Sequence, residues 1–322
     1  MKKAYIRADG SPTIGLGHLV RCIALAEIIK NRCEVTFICK DIPDALKLEI
    51  SDSNFDLLII KNEETFLRLI TADDLVILDG YNFDSNYQKL IKSKNTKLIC
   101  IDDLHDKKHY ADLIINPAPG VESEDYRAEP YTDFALGPRF ALLRPTFLKQ
   151  AKENRVIDKI RTVLICFGGA DYKNLTASVL EGVTQFKGEF EKIIVITGSA
   201  YSYLDGLKDL IKKEQRVHHF NAVSEKEMLA LMLQSDLAIV PSSGILFEVL
   251  STGMKVISGY YADNQLNIYK GFLELNAIID AGDFTDDALS HALQDVDRNT
   301  LTKVIDGSSA NNLSEKVKLL LQ

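Results

Sequence analysis

The chain has 322 residues, of which 46% are hydrophobic and 26% charged, and its formal net charge is −8. Because this length exceeds the size at which one hydrophobic core keeps growing, we expect two domains. The acidic balance argues against a nucleic-acid partner, although a local pocket can still hold a phosphate. No apolar run reaches the ~18 residues of a membrane-spanning helix, and the first strand is too short for a signal peptide, which predicts a cytoplasmic protein without a membrane span.

The first half of the sequence alternates short apolar runs with helical stretches. The runs occupy residues 3–8, 33–39, 56–61, 75–79, 97–103 and 111–115. Such runs are typical of buried parallel strands in a doubly wound sheet, whose carboxyl ends share one edge. We therefore expect Asp79, Tyr81, Asp102-Asp103 and Asn116 to lie beside the loop that follows the first strand.

The same plan restarts in the second half, after a segment rich in proline and glycine between residues 117 and 145. Apolar runs recur at residues 161–166, 192–197, 217–220, 236–240, 255–258 and 277–280. The pattern predicts an α/β protein with two Rossmann-like domains, residues 1–143 and 144–322, facing across a cleft. We expect the helical stretch at 312–320 to pack near the domain junction.

The loop after the first strand carries Gly15-Leu16-Gly17-His18 and opens a helix predicted over 16–30. Glycines at such a turn permit positive φ and close approach of a ligand, and the helix start offers unpaired N–H groups. The helix dipole there favours the neutral imidazole that a general base requires. His18 is accordingly a candidate base, and the alternative is a surface residue that caps the helix.

Two turns of the second half are candidate phosphate sites. Gly168-Gly169 follows a strand, and Ser242-Ser243-Gly244 precedes a predicted helix over 245–252 that contains Glu248. Backbone N–H groups at such turns bind phosphate, and Glu248 is placed to accept hydrogen bonds from a ribose. Alternatively, the serines only cap the helix and Glu248 is only solvated.

The remaining motifs narrow the chemistry. Asn264-Gln265 falls on the same predicted edge, with amides suited to sugar hydroxyls. His218-His219 has no third ligand at metal spacing, and the five cysteines lack Cys-x-x-Cys pairs, so we expect no metal site. Gly15-x-Gly17 lacks the third glycine of the dinucleotide fingerprint, and no Gly-Lys-Ser/Thr occurs, which disfavours NAD and a P-loop.

Taken together, these motifs resemble the UDP-2,4-diacetamido-2,4,6-trideoxy-β-L-altropyranose hydrolases of pseudaminic acid biosynthesis and the related spore-coat polysaccharide proteins. The resemblance spans nearly the whole chain, and its serine and glutamate elements are shared with glycosyltransferases of the two-domain B fold. The matching segments are Arg7-Ala8-Asp9, residues 14–21, Leu78-Asp79-Gly80-Tyr81, Ile101-Asp102-Asp103, residues 167–175, Ser242-Ser243-Gly244 with Glu248, and Asn264-Gln265.

The resemblance implies hydrolysis of a UDP-sugar at its anomeric carbon, with inversion, by water that His18 activates. It implies no cofactor and a role in surface glycan or flagellin modification. Substrate would contact Gly15, Gly17, Arg21, Tyr81, Asn264 and Gln265, and UDP would contact Gly168, Gly169, Ser242, Ser243, Gly244 and Glu248. A glycosyltransferase that uses the same fold and base is the alternative, and a non-catalytic nucleotide-sugar-binding protein is a third. If His18 is not the base, Asp9, Asp79 or Asp103 are the next candidates.

Overall fold

The computed structural model describes residues 2–11, 15–186 and 190–322. The chain forms two compact units, Met1–Pro145 with Ser308–Gln322, and Thr146–Gly307. The chain thus passes from the first unit to the second after Pro145, two residues beyond the boundary predicted at 143/144. Ile14, part of the first motif, lies outside the described residues.

The first unit is a seven-stranded parallel sheet with helices between its strands. Its sheet order is β3-β2-β1-β4-β5-β7-β9, and β6 and β8 form a separate two-stranded ladder. The strands are β1 Lys2–Ala8, β2 Cys33–Cys39, β3 Asp56–Ile59, β4 Leu75–Asp79, β5 Lys97–Ile101, β6 Lys108–His109, β7 Leu113–Asn116, β8 Arg127–Ala128 and β9 Asp133–Leu136. The helices are α1 Gly17–Ile29, α2 Asp44–Asp52, α3 Glu63–Leu69 and α4 Ser85–Lys92.

The second unit repeats this architecture with a six-stranded parallel sheet. Its order is β12-β11-β10-β13-β14-β15. The strands are β10 Thr162–Cys166, β11 Lys192–Thr197, β12 Val217–Asn221, β13 Leu237–Pro241, β14 Lys255–Gly259 and β15 Ile279–Asp280. The helices are α5 Pro145–Gln150, which begins at the unit boundary, α6 Leu175–Gln185, α7 Leu204–Ile211, α8 Glu225–Leu233, α9 Gly244–Leu250, α10 Leu266–Glu274 and α11 Asp286–Asp295. The predicted pair of Rossmann-like domains is confirmed.

The last helix, α12 Ser309–Leu320, packs on the first unit. Leu313 and Val317 are fully buried in the core that α1 also lines. Lys316 Nζ adds an ion pair with Asp133, 2.7 Å from its carboxylate. This arrangement differs from the predicted assignment of residues 308–322 to the second domain, because the apolar face of α12 is buried beside α1.

The cysteines and the lengths of the helices are two further features of the whole structure. All five cysteines are free and buried, and burial raises the pKa of each thiol. They are therefore unreactive packing groups. Within residues 2–11, 15–186 and 190–322, no helix combines the length and the apolar character needed to cross a membrane.

Each sheet has one point at which the strand order reverses direction. In the first unit the reversal falls between β1 and β4, and in the second between β10 and β13. Ligand sites of doubly wound sheets lie at the carboxyl ends of strands flanking such a point. The loop before His18 and the turn at Gly80 flank the first reversal, and the turns at Gly168 and Ser242 flank the second.

Candidate functional site

His18 is the second residue of α1 and is largely buried, with 7% of its side chain exposed. Its ring meets the Tyr81 ring edge-on, with centroids 4.8 Å apart. Nε2 lies 3.9 Å from Oδ1 of Asp79, too far for a direct hydrogen bond. The imidazole is thus enclosed by residues at the ends of α1 and β4, as the sheet-edge argument predicts.

The backbone before His18 is shaped by Gly15. Its φ of +87° is in the left-handed region that favours glycine, and its N–H donates to the Ser11 carbonyl at 2.8 Å. Leu16 precedes α1 without a side-chain cap, and a Cβ added to Gly17 would meet no atom of the described residues, which omit 12–14, within 4 Å. The helix start therefore has open space beside its backbone.

Arg21, one helical turn after His18, holds two carboxylates. Its Nε and Nη2 donate to both oxygens of Asp79 at 2.6 and 2.7 Å, while Nη1 donates to Asp103 at 2.7 Å. Burial raises the pKa of Asp103, but the Arg21 charge outweighs it and leaves the pKa below its usual value. Arg21, expected from the resemblance to contact substrate, is engaged by the protein itself. Paired in this way, Asp79 and Asp103 are poor candidates for the base.

Tyr81 joins this cluster from the turn after β4. Its hydroxyl donates to Oδ2 of Asp103 at 3.0 Å, yet 44% of the residue remains exposed. An exposed aromatic ring with a fixed hydroxyl offers a surface on which a sugar can lie.

A second buried ion cluster supports the loop after β1, and sequence reasoning did not find it. Arg7 is fully buried and donates to Asp9 at 2.7 Å and to Glu63 at 2.8 Å. Oδ1 of Asp9 in turn accepts the backbone N–H groups of Lys40 and Asp41. Burial opposes the ionised form of Glu63, but hydrogen bonds from Arg7, Lys40 and Tyr87 lower its pKa to about 2. Arg7 and Asp9 belong to one of the matching sequence segments, but nothing in the sequence indicates that Arg7 pairs with Glu63.

In the second unit, the turn after β10 contains Asp171, whose carboxylate binds the first amides of α6. Oδ1 of Asp171 accepts the Leu175 N–H at 2.9 Å, and Oδ2 accepts the Thr176 N–H at 2.8 Å. Asp171 is 3% exposed, and burial raises its pKa. Gly168, with φ of +80°, and Gly169 thus offer backbone groups of the turn, while the first amides of α6 are already bonded.

The turn at Gly169 also packs against Gly198 at the end of β11. A Cβ at Gly198 would lie 2.4 Å from both Cα and O of Gly169, closer than real contacts allow. The Asn221 side chain holds this approach by donating to the Gly198 carbonyl at 3.1 Å. Gly198 therefore fixes the shape of the turn, a role that the sequence motifs did not indicate.

The residues of the turn after β13 differ in their surroundings. The Ser242 hydroxyl is buried and shares a 2.9 Å hydrogen bond with Ser258, so this side chain supports the sheet. Ser243 directly precedes α9 without a side-chain cap, and a Cβ at Gly244 would meet nothing within 4 Å. Glu248, on the next turn of α9, is 7% exposed.

The predicted amide pair lies in a short 3₁₀ turn before α10. Oε1 of Gln265 accepts the Tyr261 N–H at 2.9 Å, and the side chain is 4% exposed, so it shapes its own loop. Asn264 is half-buried. Lys173, from the turn after β10, donates to the Tyr261 carbonyl at 2.8 Å and links the two loops.

Of the two histidines of β12, His218 is exposed and His219 is bonded within the protein. Nε2 of His219 shares a 2.8 Å hydrogen bond with Thr197, and burial lowers the pKa of His219. Across the described part of the chain, no three histidine, cysteine or acidic side chains form a group that could hold a metal ion.

The structure thus brings the predicted residues together in two groups. In the first unit, His18, Arg21 and Tyr81 gather with Asp79 and Asp103 at the β1/β4 reversal. In the second, the turns at Gly168 and Ser242 flank the β10/β13 reversal. Sequence reasoning missed Glu63 and Gly198, and it did not indicate the hydrogen bonds that Arg7 and Asp171 make.

No protein-family model matches the chain. Comparison with individual sequences does find relatives. Over 84% of its length the chain is 30% identical to an uncharacterized protein of Methanocaldococcus jannaschii, of which it spans 58%. It is 29% identical to the UDP-2,4-diacetamido-2,4,6-trideoxy-β-L-altropyranose hydrolase of Campylobacter jejuni, covering 82% of this chain and 93% of that protein. It is 28% identical to the spore coat polysaccharide biosynthesis protein SpsG of Bacillus subtilis, covering 86% and 83%.

Solved structures resemble the whole chain at low sequence identity. MurG of Acinetobacter baumannii matches with a TM-score of 0.64 at 14% identity, over 100% of this chain and 99% of MurG. S. aureus MnaA, solved with UDP, matches with a TM-score of 0.66 at 11% identity, over 100% and 97%. At such identities the likeness shows the fold, which is the predicted GT-B-like fold. The chain is therefore similar over more than four-fifths of its length to the Campylobacter hydrolase and to SpsG, and it has the two-domain fold of MurG.

Proposed function

We propose that this protein hydrolyses a UDP-linked 2,4-diacetamido-trideoxy sugar at its anomeric carbon, releasing UDP and the free sugar for nonulosonic acid synthesis. The observation that carries the proposal is the enclosure of His18 by Tyr81 and by carboxylates that Arg21 already binds. Similarity to a named UDP-sugar hydrolase, over 93% of that protein, supports the reaction class.

In the proposed reaction, His18 accepts a proton from water as the water oxygen bonds to the anomeric carbon. The bond between that carbon and the β-phosphate oxygen breaks, and UDP leaves with the electron pair, so the configuration inverts. UDP is a good leaving group and needs little protonation. Catalysis can therefore depend on positioning and on one general base, which typically contributes ~10²–10⁴-fold in rate.

The side chains around His18 suit this role. Arg21 donates to both oxygens of Asp79, and Nε2 of His18 lies 3.9 Å from that carboxylate, so His18 has no direct hydrogen bond to it. Tyr81 offers its exposed ring to the sugar, and the open space at Gly17 leaves room for substrate beside the α1 start. Gly15 shapes the turn, while Arg21 acts by fixing the carboxylates.

For the nucleotide, we infer that UDP binds in the second unit. Solved proteins of this fold have been captured with UDP and with UDP-glucose. The backbone of Gly168-Gly169 and the open turn at Ser243-Gly244 are the proposed contacts of the diphosphate. Glu248 is proposed to accept from the ribose, and Asn264 to contact the sugar. Ser242 and Gln265 support these loops from within.

A glycosyltransferase is the second candidate, favoured by the likeness in fold to MurG. The two activities differ in whether an acceptor is required. Incubation with a panel of UDP-sugars and no acceptor separates them: hydrolysis releases UDP and free sugar in equal amounts. Binding of UDP-sugars without turnover until an acceptor is added would instead establish a transferase.

A further inference from the structure

A group of buried polar side chains lies directly behind the carboxylates of the candidate site. We call Asp102, His109, Asn116 and Tyr126 the rear cluster. All four are at most 8% exposed, and they come from the ends of β5, β6 and β7 and from the segment before β8. The proposed reaction uses none of them.

Asp102 clamps the turn that begins at Asp103. Its Oδ2 accepts the backbone N–H groups of Leu104 and His105 at 3.1 and 2.7 Å. The Tyr126 hydroxyl also donates to Oδ2, at 3.3 Å. His105 has φ of +43°, a strained conformation that the clamp helps to hold. Asp103 is the first residue of this turn, so the position of Asp102 determines where the Asp103 carboxylate lies.

His109 is the unsatisfied member of the rear cluster. It is 1% exposed, and among the residues that the structure describes neither of its ring nitrogens has a hydrogen-bond partner. Nε2 lies 3.7 Å from Oδ1 of Asp102, beyond hydrogen-bond distance. Burial lowers the pKa of His109, so the neutral ring presents one N–H donor and one acceptor. A buried imidazole without partners is costly and is usually explained by an ordered water.

A small cavity borders His109 and Asp102. It measures about 10 Å³ and is lined by Asp102, His109, Lys107 and Gln88 and, on the side of the candidate site, by Asp79 and Tyr81. This volume accommodates about one water molecule, which requires two to four polar partners. Two atoms 3.7 Å apart can both lie at hydrogen-bond distance from a single water oxygen.

We propose that this cavity is a structural water site joining His109 to Oδ1 of Asp102, and that His109 is thereby a positioning residue for the turn that presents Asp103 to Arg21 and Tyr81. The positioning role rests on the proposed function, whereas the water site does not. Losing the water would leave Oδ1 of Asp102 unheld, so that the carboxylate whose Oδ2 clamps the turn could rotate and loosen it.

A high-resolution crystal structure tests the water site without reference to activity. We expect one ordered water within hydrogen-bond distance of both His109 and Asp102 in the wild-type protein, and its loss in His109→Leu. An empty cavity in well-ordered wild-type crystals would overturn the proposal.

Kinetics test the positioning role. His109→Leu should lower kcat about 10-fold, as expected for a slightly misplaced site, with KM and UDP affinity within about twofold of wild type. His109→Gln, which can still bond the water, should recover most of kcat and guards against a folding defect. His291→Leu, at an exposed histidine of α11, is the matched control and should leave kcat unchanged.

The two proposals fail in different ways. If folded His109→Leu turns over like wild type, the positioning role is wrong and the hydrolase assignment stands. If the wild-type protein releases no UDP from any UDP-sugar, the hydrolase assignment and the positioning role both fall. The crystal density alone then decides whether the water site exists.

Discussion

Replacing Arg21 with glutamine should destabilise the first unit strongly. The substitution leaves Asp79 and Asp103 as buried carboxylates, with side chains 0% and 6% exposed, and without their cation. Breaking one partner of a buried ion pair typically costs about 3–5 kcal/mol. Because 16% of the Arg21 side chain is exposed, we expect the lower end, about 3 kcal/mol.

The source of this loss can be isolated with a double-mutant cycle. If the cost comes from an uncompensated charge, Asp103→Asn in the Arg21→Gln background should restore part of it, giving a coupling energy of about 2 kcal/mol. Arg298 and Asp295 form a matched pair at 3.2 Å on the surface, 80% and 50% exposed. Their coupling should not exceed the error of measurement, because exposed pairs contribute little.

Urea unfolding followed by far-UV circular dichroism measures these energies, since the chain contains no tryptophan. The pKa of Asp103 is lowered in the folded state, so its contribution is complete above the ordinary carboxyl pKa near ~4. It is lost as the pH falls through the folded value, and the coupling should shrink in acid. A coupling at pH 7 no larger than that of the surface pair would refute the reasoning.

Three further predictions probe the base, the loop support and the nucleotide turn. His18→Asn should lower kcat ~10²-fold or more at unchanged UDP affinity, because an amide cannot accept the proton; near-wild-type hydrolysis would exclude His18 as the base. Glu63, with a pKa of about 2, contributes stability that is complete above ~4.5 and lost as the pH falls toward 2. Glu63→Gln should therefore weaken the pH dependence of the unfolding free energy over that window. An unchanged pH dependence would contradict the pairing of Glu63 with Arg7. Gly198→Ala should weaken UDP binding by calorimetry about 10-fold, whereas Gly206→Ala, where a Cβ meets nothing within 4 Å, should not; equal affinities would remove the role of Gly198.

Much of the fold could be predicted because its signals are local. Buried parallel strands are continuous apolar runs, and turns between them carry glycine and proline, so strand positions agree with the structure to within a few residues at most ends. The return of α12 to the first unit could not be predicted in this way. An amphipathic helix reveals its apolar face, but only the tertiary structure determines which core that face covers.

The position of the candidate site could be predicted from the sequence, but the hydrogen-bond partners of its side chains could not. Strand ends bring Asp79 and Asp103 to one edge, yet nothing local indicates that Arg21 would bind both. Asp102 and Asp103 adjoin in sequence but have different partners, since neighbouring side chains at a strand end point to opposite faces. Asp171 lies in a turn, and the sequence does not indicate the left-handed backbone at Asp171 and Asn174 that accompanies its hydrogen bonds to the first amides of α6.

At equivalent places in their sheets, the first unit gathers charged side chains, whereas the second leaves glycine backbone open. At the β1/β4 reversal, Arg21 binds both Asp79 and Asp103, and His18 has no direct hydrogen bond to Asp79. At the β10/β13 reversal, Asp171 and Ser242 are bonded within the protein, and glycine backbone is what remains open. If the proposed function holds, substitutions in the first group should act mainly on kcat, and those in the glycine turns mainly on nucleotide affinity. A variant such as Gly198→Ala that lowered kcat without weakening UDP binding would show that the two sites are not separable in this way.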